Sequence, residues 1–138
     1  MIREFSSGGL VIRNFRGRPF VAVIRVREDV VALPKGHPEG REPAAEAAAR
    51  EAREEAGVEG ELVEKLGDIR YWYWRDGDRV LKIVSFFLFR YRSGSVENHD
   101  DEVQSAAWMP LEEAAAELTY KGEREMAEAA LSALRRGR

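Results

Sequence analysis

Apolar positions in the first third of the chain fall in short blocks separated by turn residues. Leu10–Arg13 and Pro19–Val26 are two such blocks, and Asn14–Gly17 between them predicts a strand pair with its reversal there. "VVAL", ending at Leu33, predicts another short strand, and Pro34–Arg41 a loop leaving the sheet, from its Pro and Gly content. The period then changes. "PAAEAAAREAREEAG" consists of strong helix formers, with Pro43 tolerated in the first turn and Gly57 where a C-terminal cap belongs. "ELVEKLGDIRYWYW" and "RVLKIVSFFLFRYR" predict two long strands joined at Asp76-Gly77, a pair suited to the positive φ of a tight hairpin. "IVSFFLF" is apolar on both strand faces, as in a strand covered on both sides. "SAAWM" predicts a last strand, "PLEEAAAEL" a helix beginning at Pro110, and "GEREMAEAALSALRR" a C-terminal helix, while "RSGSVENHDDE" reads as one exposed loop. The order of strands and helices predicts an α/β sandwich, a mixed sheet with helices on both faces.

Composition narrows the picture. A chain of 138 residues is the length of one domain, and the expectation is a single unit over 1–138. A net charge of −3 gives no strongly basic surface, so no stable nucleic-acid partner is expected. With no cysteine, a metal must be held by oxygen or by His37 and His99. No segment approaches the ~20 apolar residues of a membrane span, and the N-terminus lacks the apolar core of a signal peptide. A soluble, cytoplasmic protein, monomer or homodimer, is expected.

The helix carries a puzzle. Glu51, Glu54 and Glu55 fall within about a 100° sector, next to a face of Ala45, Ala48, Ala49, Ala52 and Ala56 that can press on the sheet. Glu51 repels the two later acids by roughly 0.2–0.5 kcal/mol per pair, and both face the negative end of the helix dipole. Arg50 and Arg53 offset part of this. An ordinary solvated face is the bland explanation, but the reversed order of charges suggests a bound cation, and hard oxygen ligands point to Mg²⁺ or Mn²⁺. Before the helix, Gly36 and Gly40 permit close backbone approach, and Lys35 and His37 offer donors to anionic oxygens. Together the two segments suit metal-assisted phosphate chemistry.

Gly36, Glu42, Arg50-Glu51, Ala52, Glu54-Glu55, Gly57 and Val58 stand at the spacings of the Nudix box, and every fixed position is filled. The chain thus resembles the Nudix hydrolases. That resemblance implies an α/β/α sandwich whose box helix binds Mg²⁺ and which hydrolyses a nucleoside diphosphate linked to a further moiety. It implies Glu51 and Glu55 as principal metal ligands, Glu54 as a further ligand or water activator, and the carbonyl near Lys35 or Gly36 as part of the shell. Glu42 and Arg50 resemble the family's structural pair. The general base comes either from the box or from a loop outside it, where Glu102 is the candidate and His99 and Asp101 compete.

"LPKGH" resembles the subgroup that cleaves dinucleoside polyphosphates such as diadenosine tetra- or hexaphosphate, which gives Lys35 and His37 the polyphosphate. In "RYWYWRDG", Tyr71 and Tyr73 point to one strand face and Trp72 and Trp74 to the other, so one pair can stack on a purine, with Arg70 or Lys82 near the phosphates. Tyr120 and Lys121 form a second possible lip. The alternatives are a nucleoside triphosphate pyrophosphatase of the pool-cleaning type, an ADP-ribose or RNA 5′-end pyrophosphohydrolase, and a non-catalytic nucleotide sensor.

Overall fold

The fold is seen in a computed structural model, which describes residues 1–137. Strands β1 (Ile2–Phe15), β2 (Arg18–Arg27), β3 (Val30–Ala32) and β4 (Lys35–Gly36) lead into helix α1 (Ala44–Ala56). Then come β5 (Val58–Arg75), β6 (Asp78–Gly94), a single 3-10 turn at Val96–Asn98, β7 (Ser105–Pro110), α2 (Leu111–Glu117) and α3 (Lys121–Arg135). The sheet runs β3-β2-β1-β6-β5, with β4 added to β1 and β7 to β2. It is mixed, because β1 runs parallel to β6 while its pairing with β2 is antiparallel.

Alternation along β6 explains the layers. Val84, Phe86 and Leu88 pack with Leu10, Ile12 and Val21 beneath α2 and α3, whereas Phe87 and Phe89 pack with Val11, Ala22 and Ile24 beneath α1. Burial of each such side chain contributes roughly 1.5–3 kcal/mol. No helix among the described residues is long and apolar enough to cross a membrane.

The hairpin reversals fall at Arg16-Gly17 and Asp76-Gly77, all four residues having positive φ. Three expectations need correction. β1 begins at Ile2 rather than Leu10, because its first half is a partner for β6 and not for β2. The loop after Pro34 contains the two-residue strand β4, whose Gly36 pairs with Ser7. The segment 92–102 is not one exposed loop, since residues 92–94 continue β6 and Val96 packs, partly buried, against the cluster beneath α1.

Candidate active site

Helix α1 starts after Pro43, whose φ of −62° suits a helix entrance, and ends at Gly57 in the left-handed conformation with φ of 77°. The Gly57 N–H donates to Arg53 O at 3.0 Å, and a side chain at Gly57 would overlap the Ser95 carbonyl. The last turn is therefore pressed against the loop after β6. That contact is fastened by Asp100 N–H donating to Glu54 O at 2.9 Å.

Buried on α1 are Ala47, Ala48, Ala52 and Ala56, while Ala45 and Ala49 are less deeply placed. This corrects the expected alanine face. At about 100° per residue, Glu51 and Glu55 fall between Ala47 and Ala48, inside the arc that faces the protein. Glu54 falls outside that arc and is exposed. The three acids are thus not equivalent. The Glu51 carboxylate lies over Gly36, where any Cβ would overlap it, and Glu55 Oε1 accepts the Lys35 main-chain N–H at 2.9 Å.

Burial pushes the Glu55 carboxyl up to about 7, with the Glu51 and Asp100 charges adding to the shift and the Lys35 N–H and ammonium opposing it. Glu51 is also raised, chiefly by burial, and Glu54 and Glu102 contribute repulsion against the pull of Arg50. Asp100 and Glu102 therefore belong to the electrostatic neighbourhood of the acids. Glu102 itself is exposed, and its N–H donates to Asp100 Oδ1 at 3.1 Å.

Arg50 organises the cluster. Its Nε donates to Glu42 Oε2 at 3.0 Å, its Nη1 to Glu54 Oε1 at 2.8 Å and Glu51 Oε2 at 3.2 Å, and its Nη2 to the His37 carbonyl at 2.9 Å. The planar guanidinium suits this fan of acceptors better than an ammonium would. Glu42 is held below the usual carboxylate range by its bond to Arg50.

Among the described residues no group of three or more His, Asp and Glu side chains is already gathered at metal-binding spacing. The donor set nonetheless fits a hard divalent cation. Glu51, Glu54 and Glu55 offer carboxylate oxygens, the absence of a side chain at Gly36 makes room for Glu51 against the backbone, and two half-buried acids lack enough positive charge to stay ionised easily.

On the opposite face of the sheet lies a cavity of about 580 Å³, lined by Lys35, Ile69, Tyr71, Phe86, Tyr120 and Glu123 among others. Lys35 stands over the Tyr120 ring, 5.4 Å from its centroid, and its ammonium donates to Glu123 Oε2 at 2.9 Å. Of the aromatic run, Tyr71 lines this cavity, whereas Trp72 stacks under Arg79 with 4.0 Å from guanidinium carbon to ring centroid. Tyr73 and Lys82 are drawn elsewhere. The Tyr73 hydroxyl donates to Glu4, which also holds Arg75, and the Lys82 ammonium lies 3.7 Å from the same carboxylate. Glu4 is lowered to about 2 by the Tyr73 bond first and Arg75 next. His37 is exposed, its Nδ1 3.0 Å from the Phe5 carbonyl oxygen.

The structure thus brings together Lys35, Gly36, Arg50, Glu51, Glu54 and Glu55, and groups Tyr71 and Tyr120 on a cavity that Lys35 shares. The sequence reading missed Asp100, Glu4 and Glu123. Glu123 had a visible signal, since it opens the series Glu123, Ala127, Ala130 on the buried side of α3.

The NUDIX domain model matches residues 5–130, nearly the whole chain and including the acid helix just described. The chain belongs to the Nudix family. A curated relative from Mycobacterium tuberculosis (strain CDC 1551 / Oshkosh), which carries the name mutator protein MutT4, is 40% identical over 136 residues. That match covers 94% of this chain and 55% of the relative, so the chain spans about half the length of the curated relative it matches. Among solved structures, a Caenorhabditis elegans Ap4A hydrolase binary complex aligns with a TM-score of 0.71 at 20% identity, covering 95% of this chain and 97% of that one. The NUDIX domain of Shewanella oneidensis NrtR, crystallised with ADP ribose, aligns at 0.72 and 14% identity, covering 97% and 90%. At such identities these two Nudix structures establish the shared fold alone.

Proposed function

We propose that this Nudix chain is a Mg²⁺-dependent pyrophosphohydrolase that cleaves a phosphoanhydride in a dinucleoside polyphosphate such as diadenosine tetra- or hexaphosphate. The observation that carries the reading is the position of Lys35. Its main chain touches the acid helix and its side chain lines the nucleoside-sized cavity, so a phosphate chain leaving a nucleoside in that cavity is led towards Glu51 and Glu55.

Glu51, Glu55 and the Gly36 carbonyl would hold the cation, with Glu54 as a further ligand at the exposed side. The cation, when bound, neutralises charge on the diphosphate and lowers the pKa of its bound water. Arg50 keeps the acids oriented. Glu102, or Glu54 from within the box, accepts the proton of the attacking water. Lys35 and His37 donate to the phosphate oxygens, and Tyr71 and Tyr120 flank the base. Lys82, close enough to Lys35 to feel its charge, is a reserve cation restrained by Glu4.

The LPKGH lead-in, which resembles that of the dinucleoside polyphosphate subgroup, supports this substrate class. A second reading, a nucleoside triphosphate pyrophosphatase of the pool-cleaning type, is favoured by the 40% identity to the protein named as a mutator protein. Product analysis separates them. Nucleoside triphosphate plus monophosphate from diadenosine tetraphosphate supports the first, and pyrophosphate released from a nucleoside triphosphate supports the second.

A further inference from the structure

Glu123 is the charged residue that the described fold buries most completely, with 2% of its surface exposed. A carboxylate is costly to bury unless it is paired and hydrogen-bonded. Both conditions are met from one short segment. Glu123 Oε1 accepts the Leu33 N–H at 2.7 Å, and Glu123 Oε2 accepts the Lys35 ammonium at 2.9 Å. Its place in the first turn of α3 adds the favourable end of a helix dipole.

These bonds reach beyond packing because of what else Lys35 touches. The residue has three attachments: side chain to Glu123, main-chain N–H to Glu55, and ring contact with Tyr120. An ammonium has three donors, and one is given to Glu123. With 31% of the Lys35 side chain exposed, the other donors can face the cavity.

We infer that Glu123 is a positioning residue for substrate binding: it fixes the Lys35 ammonium at the cavity so that its free N–H groups meet the substrate phosphates. The inference rests on the proposed role of Lys35 as a phosphate donor. It explains why a buried acid is placed beside the cation of an anion-binding site, where its charge would otherwise weaken anion capture. A flexible lysine stem loses rotamer freedom when it binds, and holding it in advance removes that cost from the binding step.

The experiment is a double-mutant cycle of steady-state kinetics with Glu123→Gln, Lys35→Met and the pair, on whichever nucleotide the unmodified protein turns over fastest. The glutamine side chain keeps the volume and an acceptor for Leu33 N–H but loses the charge that anchors Lys35. The expected result is a KM raised about tenfold or more with kcat changed less than about threefold, as for lost ground-state binding. In the Lys35→Met background the same substitution should change kcat/KM by less than about twofold. Melting temperatures should also cross over: Glu123→Gln lowers that of the parent and raises that of Lys35→Met, whose buried carboxylate has no cation. Glu123→Asp, which keeps the charge but shortens its reach, is run in parallel and decides the matter if Glu123→Gln fails to fold. Equal losses in both backgrounds, or an unchanged KM, would overturn the inference. A substrate other than a dinucleotide would overturn the proposed function and leave this coupling intact.

Discussion

Lys35 donates its main-chain N–H to Glu55 Oε1 at 2.9 Å, joining the loop before the helix to the most strongly perturbed acid of the site. Replacing Glu55 with Gln keeps an acceptor for that N–H and removes a half-buried charge. Turnover should fall by about a hundredfold or more, the scale on which a metal-polarised water is lost. The metal-free variant should stay folded. A circular dichroism melt in chelator checks this, and an unfolded variant would contradict the metal-ligand role.

The same group sets a pH dependence. The folded carboxyl, at about 7, lies above its ordinary value of 4.5, so the folded state binds the extra proton between those values. Stability contributed by protonated Glu55 is therefore present below 4.5 and declines as pH rises towards 7. Metal-free parent protein should lose stability relative to Glu55→Gln between about pH 5 and pH 8, measured as the difference in unfolding free energy. Added Mg²⁺ should raise the melting temperature more at the alkaline end of that range than at the acidic end.

Arg50 meets four acceptors through a side chain that is only 12% exposed. Arg50→Ala leaves Glu42 and Glu51 without the cation they share, and a loss of about 2–4 kcal/mol is expected in urea unfolding. Arg50→Lys should recover less than half, because one ammonium cannot reproduce the fork to Glu42. Full recovery by Lys would show that charge alone suffices.

Glu102 is exposed, so Glu102→Gln should leave the melting temperature within about 1 °C. As the proposed base it should lower kcat by about a hundredfold when replaced. A kcat unchanged within about threefold would move the role to Glu54.

Tyr71 and Tyr120 line the cavity, whereas Trp74 projects into solvent from the other face of β5. Loss of a stacking ring is worth about 1–3 kcal/mol, so Tyr71→Ala or Tyr120→Ala should raise KM roughly five- to a hundredfold. Trp74→Ala should leave it alone.

Much of this was legible in the sequence. Pro43 and Gly57 bracket α1 as read, Asp76-Gly77 makes the long hairpin, and the spacing of Gly36, Glu42, Arg50, Glu51, Glu54 and Glu55 locates the acids. Local signals of this kind act within a few residues. What was not legible depends on partners far along the chain: β1 from Ile2 is polar-rich and becomes a strand through pairing with β6. The difference between Glu51, Glu55 and Glu54 required knowing which arc of α1 meets the sheet. Which aromatic of the run faces the cavity required the register of β5 on β6, and Glu123 gains its meaning only when α3 folds back over Lys35.

The most direct test is a Mg²⁺-dependent hydrolysis panel of diadenosine tetra- and hexaphosphate, ADP-ribose and the nucleoside triphosphates, with kcat/KM compared and products separated by chromatography. If Lys35 leads a polyphosphate from the cavity to the acid helix, the dinucleotides should be preferred by about a hundredfold or more, with nucleoside triphosphate and monophosphate released from the tetraphosphate. Equal or greater efficiency on nucleoside triphosphates with release of pyrophosphate, or no turnover of any dinucleotide, would contradict it.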